Sequence, residues 1–209
     1  MINCGLPPTS RDSWRPVARA TAAHSTVTFN DLSSCQFLGP GLLQRFLGAP
    51  IMGGPSEVPV AREEQEGAVV VRASHDGYAS RFGIIHERTL RVAADGARLD
   101  GEDRFLPVQG DKIPTGRRDA FAVRFHLHPA VKASLLTDGH GVTLMLPNRE
   151  IWTFSAQEDA VEIEESVYLA GRQGPSRTSQ LVIYGRARKV ESVRWIFVRG
   201  DISVLAQRT

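Results

Sequence analysis

The chain has 209 residues, which is enough for one large β domain with a buried core. Lysine and arginine total 25 against 23 aspartates and glutamates, and the net charge of +2 gives no reason to expect nucleic acid as the main partner. No apolar stretch of about 18 residues is present, so we expect no membrane span. The two cysteines, Cys4 and Cys35, are expected to be free thiols.

The N-terminus is a short apolar segment that runs into a pair of prolines at Pro7 and Pro8. A secretory signal would instead place a charged start before an apolar run of about 7 to 15 residues. We therefore expect no signal peptide here, and we interpret Met1 as lying inside a domain, at the end of a strand.

Alternation of apolar and polar residues, rich in β-branched side chains, predicts nine strands along the chain. They cover residues 25–30, 68–74, 86–93, 120–127, 142–147, 151–155, 161–169, 179–186 and 193–198. Turn sequences such as Ala94-Asp95-Gly96 separate neighbouring strands, which is typical of antiparallel hairpins. We predict an all-β fold, a single domain over residues 1–209, built as a sandwich of two antiparallel sheets because so many strands need two faces to bury their apolar sides.

Two long interruptions separate these segments, at residues 39–67 and 107–119. The first is rich in Gly, Pro and Glu, and the second carries Lys112, Arg117 and Arg118. Long loops in a compact domain are typically functional segments, plain connections or disordered segments.

The densest polar cluster is formed by residues 74–78 and 83–88, which contain His75, Tyr78, His86 and Arg88. His75 and Tyr78 end one predicted strand, and His86 and Arg88 share one face of the next because side chains alternate along a strand. A hairpin would gather all four side chains. One interpretation is a binding or catalytic site; the other is a satisfied polar network in which Arg88 binds an acid such as Asp103.

A second candidate is the pair His126 and His128 on a predicted strand. Two imidazoles two residues apart can share a metal ion, as in cupin-type sites, where a third ligand completes the shell. The neighbouring sequence offers no third ligand. The alternative interpretation is two unrelated histidines before Pro129.

Several segments, in order, resemble the C-terminal region of bacterial heparinase II/III-like proteins. They are Ala23-His24-Ser25-Thr26, Ser74-His75-Asp76-Gly77-Tyr78, His86-Glu87-Arg88, Gly101-Glu102-Asp103 and Arg124-Phe125-His126-Leu127-His128-Pro129. The resemblance implies a β-sandwich that follows a helical toroid, in proteins that cleave uronate-containing polysaccharides by β-elimination. It also implies a periplasmic location and an acidic polysaccharide partner such as heparan sulfate.

The resemblance implies that the family's own catalytic groups, from the toroid and from a His-x-His segment at the start of the sandwich, would lie upstream of Met1. Under the lyase hypothesis, His75, Tyr78 and His86 are the candidate catalytic residues of this chain, and Arg88 and His24 are its candidate substrate-binding residues. The resemblance also makes His24 a candidate zinc ligand. The position of the expected aspartate ligand holds Asn3, a neutral and poorer ligand, so we expect zinc to bind weakly or not at all.

Two other functions are compatible with the sequence. The chain could be a non-catalytic carbohydrate-binding module that uses Trp152, Arg117 and Arg118, or a cupin-like metalloprotein that uses His126 and His128. For the lyase hypothesis, we expect the chain alone to be inactive, because β-elimination needs charge stabilisation and proton transfer in an enclosed cleft.

Overall fold

The computed structural model describes residues 1–7, 14–39, 41, 46, 49–65, 67–110, 112–113, 118–137, 139–157 and 159–200. Strand accounts for 51% of the structure and helix for 7%, which confirms the predicted all-β class. A short helix α1 (Arg15–Ala18) and a 3-10 turn (Thr21–Ala23) precede the first strand, and a short helix α2 (Ala79–Phe82) lies between residues 68–75 and 84–93, which form two strands. Within the described ranges, no helix is long and apolar enough to cross a membrane.

The strands form two large antiparallel sheets and one small one. In chain order they are β1 (Val27–Phe29), β2 (Gln36–Phe37), β3 (Ile51–Gly53), β4 (Val60–Gln65), β5 (Ala68–His75), β6 (Ile84–Ala93), β7 (Arg98–Pro107), β8 (Ala120–His126), β9 (Lys132–Leu135), β10 (Gly141–Met145), β11 (Ile151–Ala156), β12 (Glu162–Tyr168), β13 (Ser176–Arg186) and β14 (Ser192–Arg199). The four-stranded sheet has the order β1-β8-β13-β12 and the eight-stranded sheet the order β4-β5-β6-β7-β14-β11-β10-β9, while β2 and β3 pair separately.

The core lies between the two large sheets and is dominated by aromatic rings. On the four-stranded sheet, Phe29 and Phe125 face inward; on the eight-stranded sheet, Phe105, Phe154 and Trp195 face them. Ring centroids across the interface lie 5.3 Å apart for Phe29 and Phe105 and 4.7 Å apart for Phe125 and Trp195. These edge-on ring contacts fill the space between the two sheets, and each sheet covers the apolar face of the other. The architecture is therefore a β-sandwich.

Each of the nine predicted strands is present, with ends that differ by a few residues. The prediction missed β2, β3, β4, β7 and β9. The interpretation of residues 39–67 as a loop was wrong for its described part, because it contains β3 and β4. β4 escaped detection because four of its six residues, from Val60 to Gln65, are polar and every residue is exposed. β7 escaped detection because charged residues occupy both of its faces.

One glycine on β7 makes room for the largest ring of the core. A Cβ atom at Gly101 would lie 2.1 Å from the Trp195 ring, closer than any van der Waals contact allows. β7 pairs with β14 so that Gly101 stands directly opposite Trp195. The indole therefore lies across the backbone of β7, which brings its N–H group toward Asp103.

Candidate functional site

The polar cluster predicted around His75 and His86 forms in the structure, at the inner face of the eight-stranded sheet. β5 and β6 are antiparallel neighbours in which His75 stands opposite His86. β6 and β7 are paired so that Arg88 stands opposite Asp103. The β5–β6–β7 meander therefore places the two imidazoles, the guanidinium and the carboxylate side by side.

Asp103 is the centre of this cluster. Its carboxylate is fully buried and accepts four hydrogen bonds: Oδ1 from His86 Nε2 (2.7 Å) and Arg88 Nε (2.7 Å), and Oδ2 from Arg88 Nη2 (2.9 Å) and Trp195 Nε1 (2.8 Å). Burial by itself raises the pKa of Asp103, but the charge of Arg88 and the hydrogen bonds from His86 and Arg88 outweigh it and hold the pKa well below its usual range. Asp103 is therefore an ionised carboxylate with its acceptor positions filled.

Arg88 connects this carboxylate to the opposite sheet. Its Nη1 donates a 2.6 Å hydrogen bond to the carbonyl oxygen of Ser25, just before β1. Its guanidinium carbon also lies 5.5 Å from the centroid of the Trp195 ring and 5.9 Å from that of Phe125. The side chain that the lyase hypothesis made a substrate-binding candidate thus has most of its donors engaged inside the protein.

The hydrogen-bond partners assign the tautomers of the two histidines. The backbone N–H of Gly77 donates to His75 Nδ1 (3.2 Å), so this nitrogen carries no proton. His75 Nε2 must then donate to His86 Nδ1 (3.3 Å), and His86 Nε2 donates to Asp103. The result is a directed chain from the Gly77 turn through both imidazoles to the buried carboxylate.

An added proton has no satisfactory place on His75. It would put an N–H group on Nδ1, directly against the N–H of Gly77. Desolvation by burial, together with the neighbouring His86, lowers the pKa of His75 to about 4, against a smaller opposing effect of Asp76.

Tyr78 lies next to this chain and is completely buried. Its hydroxyl donates to the carbonyl oxygen of Val27 (2.9 Å) and its ring packs edge-on against Phe29, with centroids 5.0 Å apart. Burial raises the pKa of the Tyr78 phenol far above its ordinary value. In this arrangement the phenol joins α2 to β1, and its assignment as a catalytic residue stays a prediction.

Asn3 contacts Ser25, the residue that follows His24. The side-chain oxygen of Asn3 accepts the N–H of Ser25 (2.9 Å), so the amide is used to attach the N-terminal segment. Among the described residues, no group of three or more His, Cys, Asp or Glu side chains is positioned to hold a metal ion. The donors present therefore do not fit the zinc site that the resemblance implies.

The pair His126 and His128 is separated by the fold. His126 is buried, and its Nδ1 lies 2.8 Å from Ser166 Oγ and its Nε2 2.9 Å from the carbonyl oxygen of Ala22. β8 ends at His126, and His128 is exposed and packs edge-on against Tyr168 with ring centroids 5.1 Å apart. Both nitrogens of His126 are engaged with protein atoms, so this geometry gives the cupin-like hypothesis no support.

The residues suggested for a carbohydrate-binding surface are scattered. Trp152 is half-buried and packs against the core instead of standing free on the surface. Arg118 is exposed, and Arg117 lies outside the described residues. Cys4 and Cys35 are free thiols, as expected, and Cys4 Sγ lies 3.5 Å from His126 Nδ1.

Sequence reasoning missed two parts of this region. Trp195 was assigned to a strand but not to the cluster, because nothing in its local sequence indicates that its N–H group meets Asp103. The polar side chains on the other side of Gly77, from Ser34, Gln36, Ser56 and Arg81, line a surface cleft with Asp76. They come from distant segments, and no spacing rule links them.

Comparison with known proteins identifies a protein family and a curated relative of this chain. Residues 1–196 match the family model described as "Heparinase II/III-like, C-terminal". The chain is 32% identical over 200 residues to FtsZ-localized protein C of Caulobacter vibrioides, covering 90% of this chain and 34% of that protein. It therefore spans about a third of the length of this curated relative.

Solved structures show the same fold at low identity. Heparan sulfate lyase HepC from Pedobacter heparinus superimposes with a TM-score of 0.68 and 13% identity, over 95% of this chain and 28% of that one. A heparinase III superimposes with a TM-score of 0.63 and 9% identity, over 93% of this chain and 26% of that one. At these identities the likeness establishes the β-sandwich fold.

Asp103→Asn should destabilise the protein strongly, because the amide cannot accept all the donors that now surround a carboxylate, and Arg88 would be left as a buried charge without its partner. We expect a loss of about 3–5 kcal/mol in the free energy of unfolding, measured by urea denaturation. The matched control is Asp100→Asn on the same strand, which breaks a partly exposed pair with Arg98 and should cost less than about 1 kcal/mol. Equal losses in the two variants would contradict the central role of Asp103.

The free energy of unfolding should decrease as the pH falls from about 6.5 toward 4. In this window unfolded chains bind a proton at residue 75 that the folded chain, whose His75 pKa is about 4, does not bind. Denaturation curves recorded at pH 7 and pH 4.5 on the wild-type protein and on His75→Gln test this. The variant should lose less stability between the two pH values; an unchanged pH dependence would show that His75 does not titrate as described.

Proposed function

Because the chain belongs to the heparinase II/III-like C-terminal family, we propose that it is the β-sandwich part of a multidomain polysaccharide lyase that binds acidic, uronate-containing glycans. In this proposal the sandwich forms one wall of a glycan cleft, and a helical domain supplies the opposite wall. The solved proteins with the same fold include a heparan sulfate lyase and a heparinase III, and this chain covers 28% and 26% of those two chains. A partner domain is consistent with that difference in length.

The observation that carries the proposal is the match of residues 1–196 to the heparinase II/III-like C-terminal family. The internal saturation of the His75–His86–Asp103–Arg88 cluster limits the part that these residues take in the chemistry. β-Elimination requires a base that removes the proton next to the uronate carboxylate, an acid for the leaving oxygen and a group that neutralises the carboxylate. Asp103 is fully buried, Tyr78 is fully buried, and Arg88 is bound to Asp103 and Ser25. These residues act as positioning groups that hold the sandwich wall in shape, and of the two imidazoles in the cluster, His86 is buried and His75 is half-buried.

His75 and His24 remain the candidates for direct glycan contact from this chain. Both are half-buried rather than enclosed. Gly77 and His86 hold His75 in one neutral tautomer, in which Nδ1 accepts and Nε2 donates. In the proposal, the helical domain supplies the acid and the base.

The chain alone should show no lyase turnover on heparan sulfate, alginate or other polyuronates, measured as the rise in ultraviolet absorbance from the unsaturated uronate product. It should bind heparan sulfate weakly, with an affinity that falls as salt is raised. Turnover by the wild-type chain that is lost in His75→Ala would overturn the proposal, because the cluster would then be a complete active site. Turnover that persists in His75→Ala would instead place the active site elsewhere in this chain.

A second candidate function is non-catalytic. The relative that is 32% identical over 200 residues is named an FtsZ-localized protein and not a lyase. The chain could therefore act at the site of cell division, with the sandwich serving as a binding module. The polar groups of Asp103, Arg88 and Tyr78 are hydrogen-bonded inside the protein, which suits a domain that keeps the fold of the lyase family but takes no part in β-elimination.

This alternative predicts that a fluorescent fusion of the full-length protein containing this chain localises to the division site of the cells that make it. Localisation that disappears when FtsZ is depleted, combined with no lyase activity of the full-length protein, would favour the second function. Diffuse fluorescence together with polyuronate cleavage by the full-length protein would exclude it in favour of the lyase.

A further inference from the structure

A cluster of cationic side chains lies at the end of the sandwich where β13 turns into β14. The turn is closed by a hydrogen bond from the backbone N–H of Lys189 to the carbonyl oxygen of Arg186 (2.9 Å). The backbone N–H of Ala187 donates to the carbonyl oxygen of Asp119 (2.9 Å), which places Arg118 beside the turn. We call this surface the Asp119 patch, and it comprises residues 118–119 and 186–191.

The Asp119 patch concentrates positive charge. It contains four cationic side chains and the carboxylates of Asp119 and Glu191. The cations are Arg118, Arg186, Arg188 and Lys189, and all four residues are exposed. The excess of two positive charges in these eight residues is as large as the net charge of the whole 209-residue chain. An anionic polymer is therefore attracted to this surface more than the nearly balanced composition of the chain suggests.

Asp119 holds two of the arginines in position. Its buried carboxylate accepts hydrogen bonds from Arg188 Nε (3.0 Å), Arg188 Nη2 (3.1 Å), the backbone N–H of Arg188 (3.3 Å) and Arg186 Nη1 (3.4 Å). The hydrogen bond from the Arg188 side chain is the largest effect on the pKa of Asp119 and lowers it, so the carboxylate is ionised at neutral pH. Both arginines are thus ordered before a ligand arrives, which reduces the entropy lost on binding.

Donors remain available on the solvent side of the patch. A guanidinium has five N–H groups, and the contacts with Asp119 use two of them on Arg188 and one on Arg186. These side chains are 38% and 60% exposed, so the unused N–H groups are accessible to a ligand. Arg118 and Lys189 are exposed, and neither has a side-chain partner among the described residues. The patch therefore offers free cationic donors at the surface.

The composition of the patch decides which anionic partner fits. Ala187 is buried and Val190 packs against the core, so the described residues of the patch present only charged side chains to solvent. Protein partners and membranes are usually held by aromatic or aliphatic anchors in addition to charge. A polymer that carries hydroxyl groups and oxyanions needs no such anchor. The patch therefore suits an acidic glycan better than a peptide or a lipid surface.

The patch also lies on the same row of the large sheet as the two histidines of the polar cluster. The backbone N–H of Phe105 donates to the carbonyl oxygen of Glu191 (3.0 Å). Phe105 stands opposite His86, and His86 stands opposite His75. The strand order β5-β6-β7-β14 separates the patch from His75 by three strand spacings, which is about 15 Å. A glycan of a few sugar units spans that distance.

We propose that the Asp119 patch binds the oxyanions of an acidic glycan, with Arg186 and Arg188 as the ordered contacts and Arg118 and Lys189 as the mobile ones. The inference rests on the proposed function, because it takes glycan binding by this chain as given, and it deepens that function by naming the surface. Arginine forks match the planar carboxylate and the sulfate group, so both oxyanions share this chemistry. Heparan sulfate and alginate, which carries carboxylates only, distinguish the two sources.

Binding of labelled heparan sulfate to the whole chain at low salt, measured by fluorescence polarisation, tests the proposal. Arg118→Gln combined with Lys189→Gln should weaken binding by about three- to tenfold, because two exposed cations are lost. Neither side chain has a partner to lose, so thermal denaturation should show an unchanged fold. The matched control combines Arg172→Gln with Arg177→Gln, which removes the same charge from exposed positions at the other end of β13, about 30 Å away. It should leave affinity within about twofold.

Equal losses in the two double variants would overturn the proposal, because only the overall charge would then matter. Unchanged affinity in the Arg118 and Lys189 double variant would also overturn it. Equally tight binding of anionic lipid vesicles, polyglutamate or duplex DNA at the same salt would contradict the choice of a glycan. Patch-dependent glycan binding by a full-length protein that shows no lyase turnover keeps this inference and removes the lyase function. Polyuronate cleavage with patch-independent binding keeps the lyase function and removes this inference.

Discussion

A buried carboxylate without compensation would cost several kcal/mol, and Asp103 lies fully buried between the two sheets of this protein. Its charge is balanced by Arg88 and its remaining acceptor positions by His86 and Trp195. His86 and Arg88 lie two residues apart on β6 and Trp195 lies on β14, so the carboxylate on β7 binds the strand on either side of it and supports the lateral order β6-β7-β14. The requirement to satisfy one charge thereby sets the register of the centre of the eight-stranded sheet.

The same requirement ties the two sheets to each other. Arg88 reaches across the interface to the carbonyl oxygen of Ser25, and Tyr78 does the same to Val27. Both contacts fix the segment that leads into and forms β1, the edge strand of the smaller sheet. Apolar packing of the phenylalanine rings provides the cohesion, and these directed hydrogen bonds determine how the sheets are aligned.

The hydrogen-bond network around Asp103 ends at the backbone of Gly77. From Asp103 the hydrogen bonds pass through His86 and His75 to the backbone of Gly77, and on the other side of Gly77 the surface opens into a polar cleft lined by Asp76 and Arg81. The interior part of the network has its hydrogen-bonding groups filled by other protein groups. Under the proposed function, this part holds the sandwich wall in shape and glycan contact falls to the outer part.

The sequence by itself determined the β class, the nine strands with clear alternation, the free cysteines, the family resemblance and the neighbourhood of His75, His86, Arg88 and Asp103. These follow from local patterns, because alternation fixes which face a side chain occupies and a hairpin brings adjacent strands together. Only the tertiary structure decided that the polar groups of Tyr78 and Arg88 are hydrogen-bonded inside the protein and that Trp195 donates the remaining hydrogen bond to Asp103. It also decided that His126 is buried and His128 exposed, because β8 ends between them. It alone also placed Asp76 and Arg81 around a cleft with Ser34 and Ser56. These outcomes depend on contacts between segments that are far apart in the chain. Charged strands such as β4 and β7 show no clear alternation of apolar and polar residues, because hydrogen bonds to their neighbouring strands hold them in the sheet.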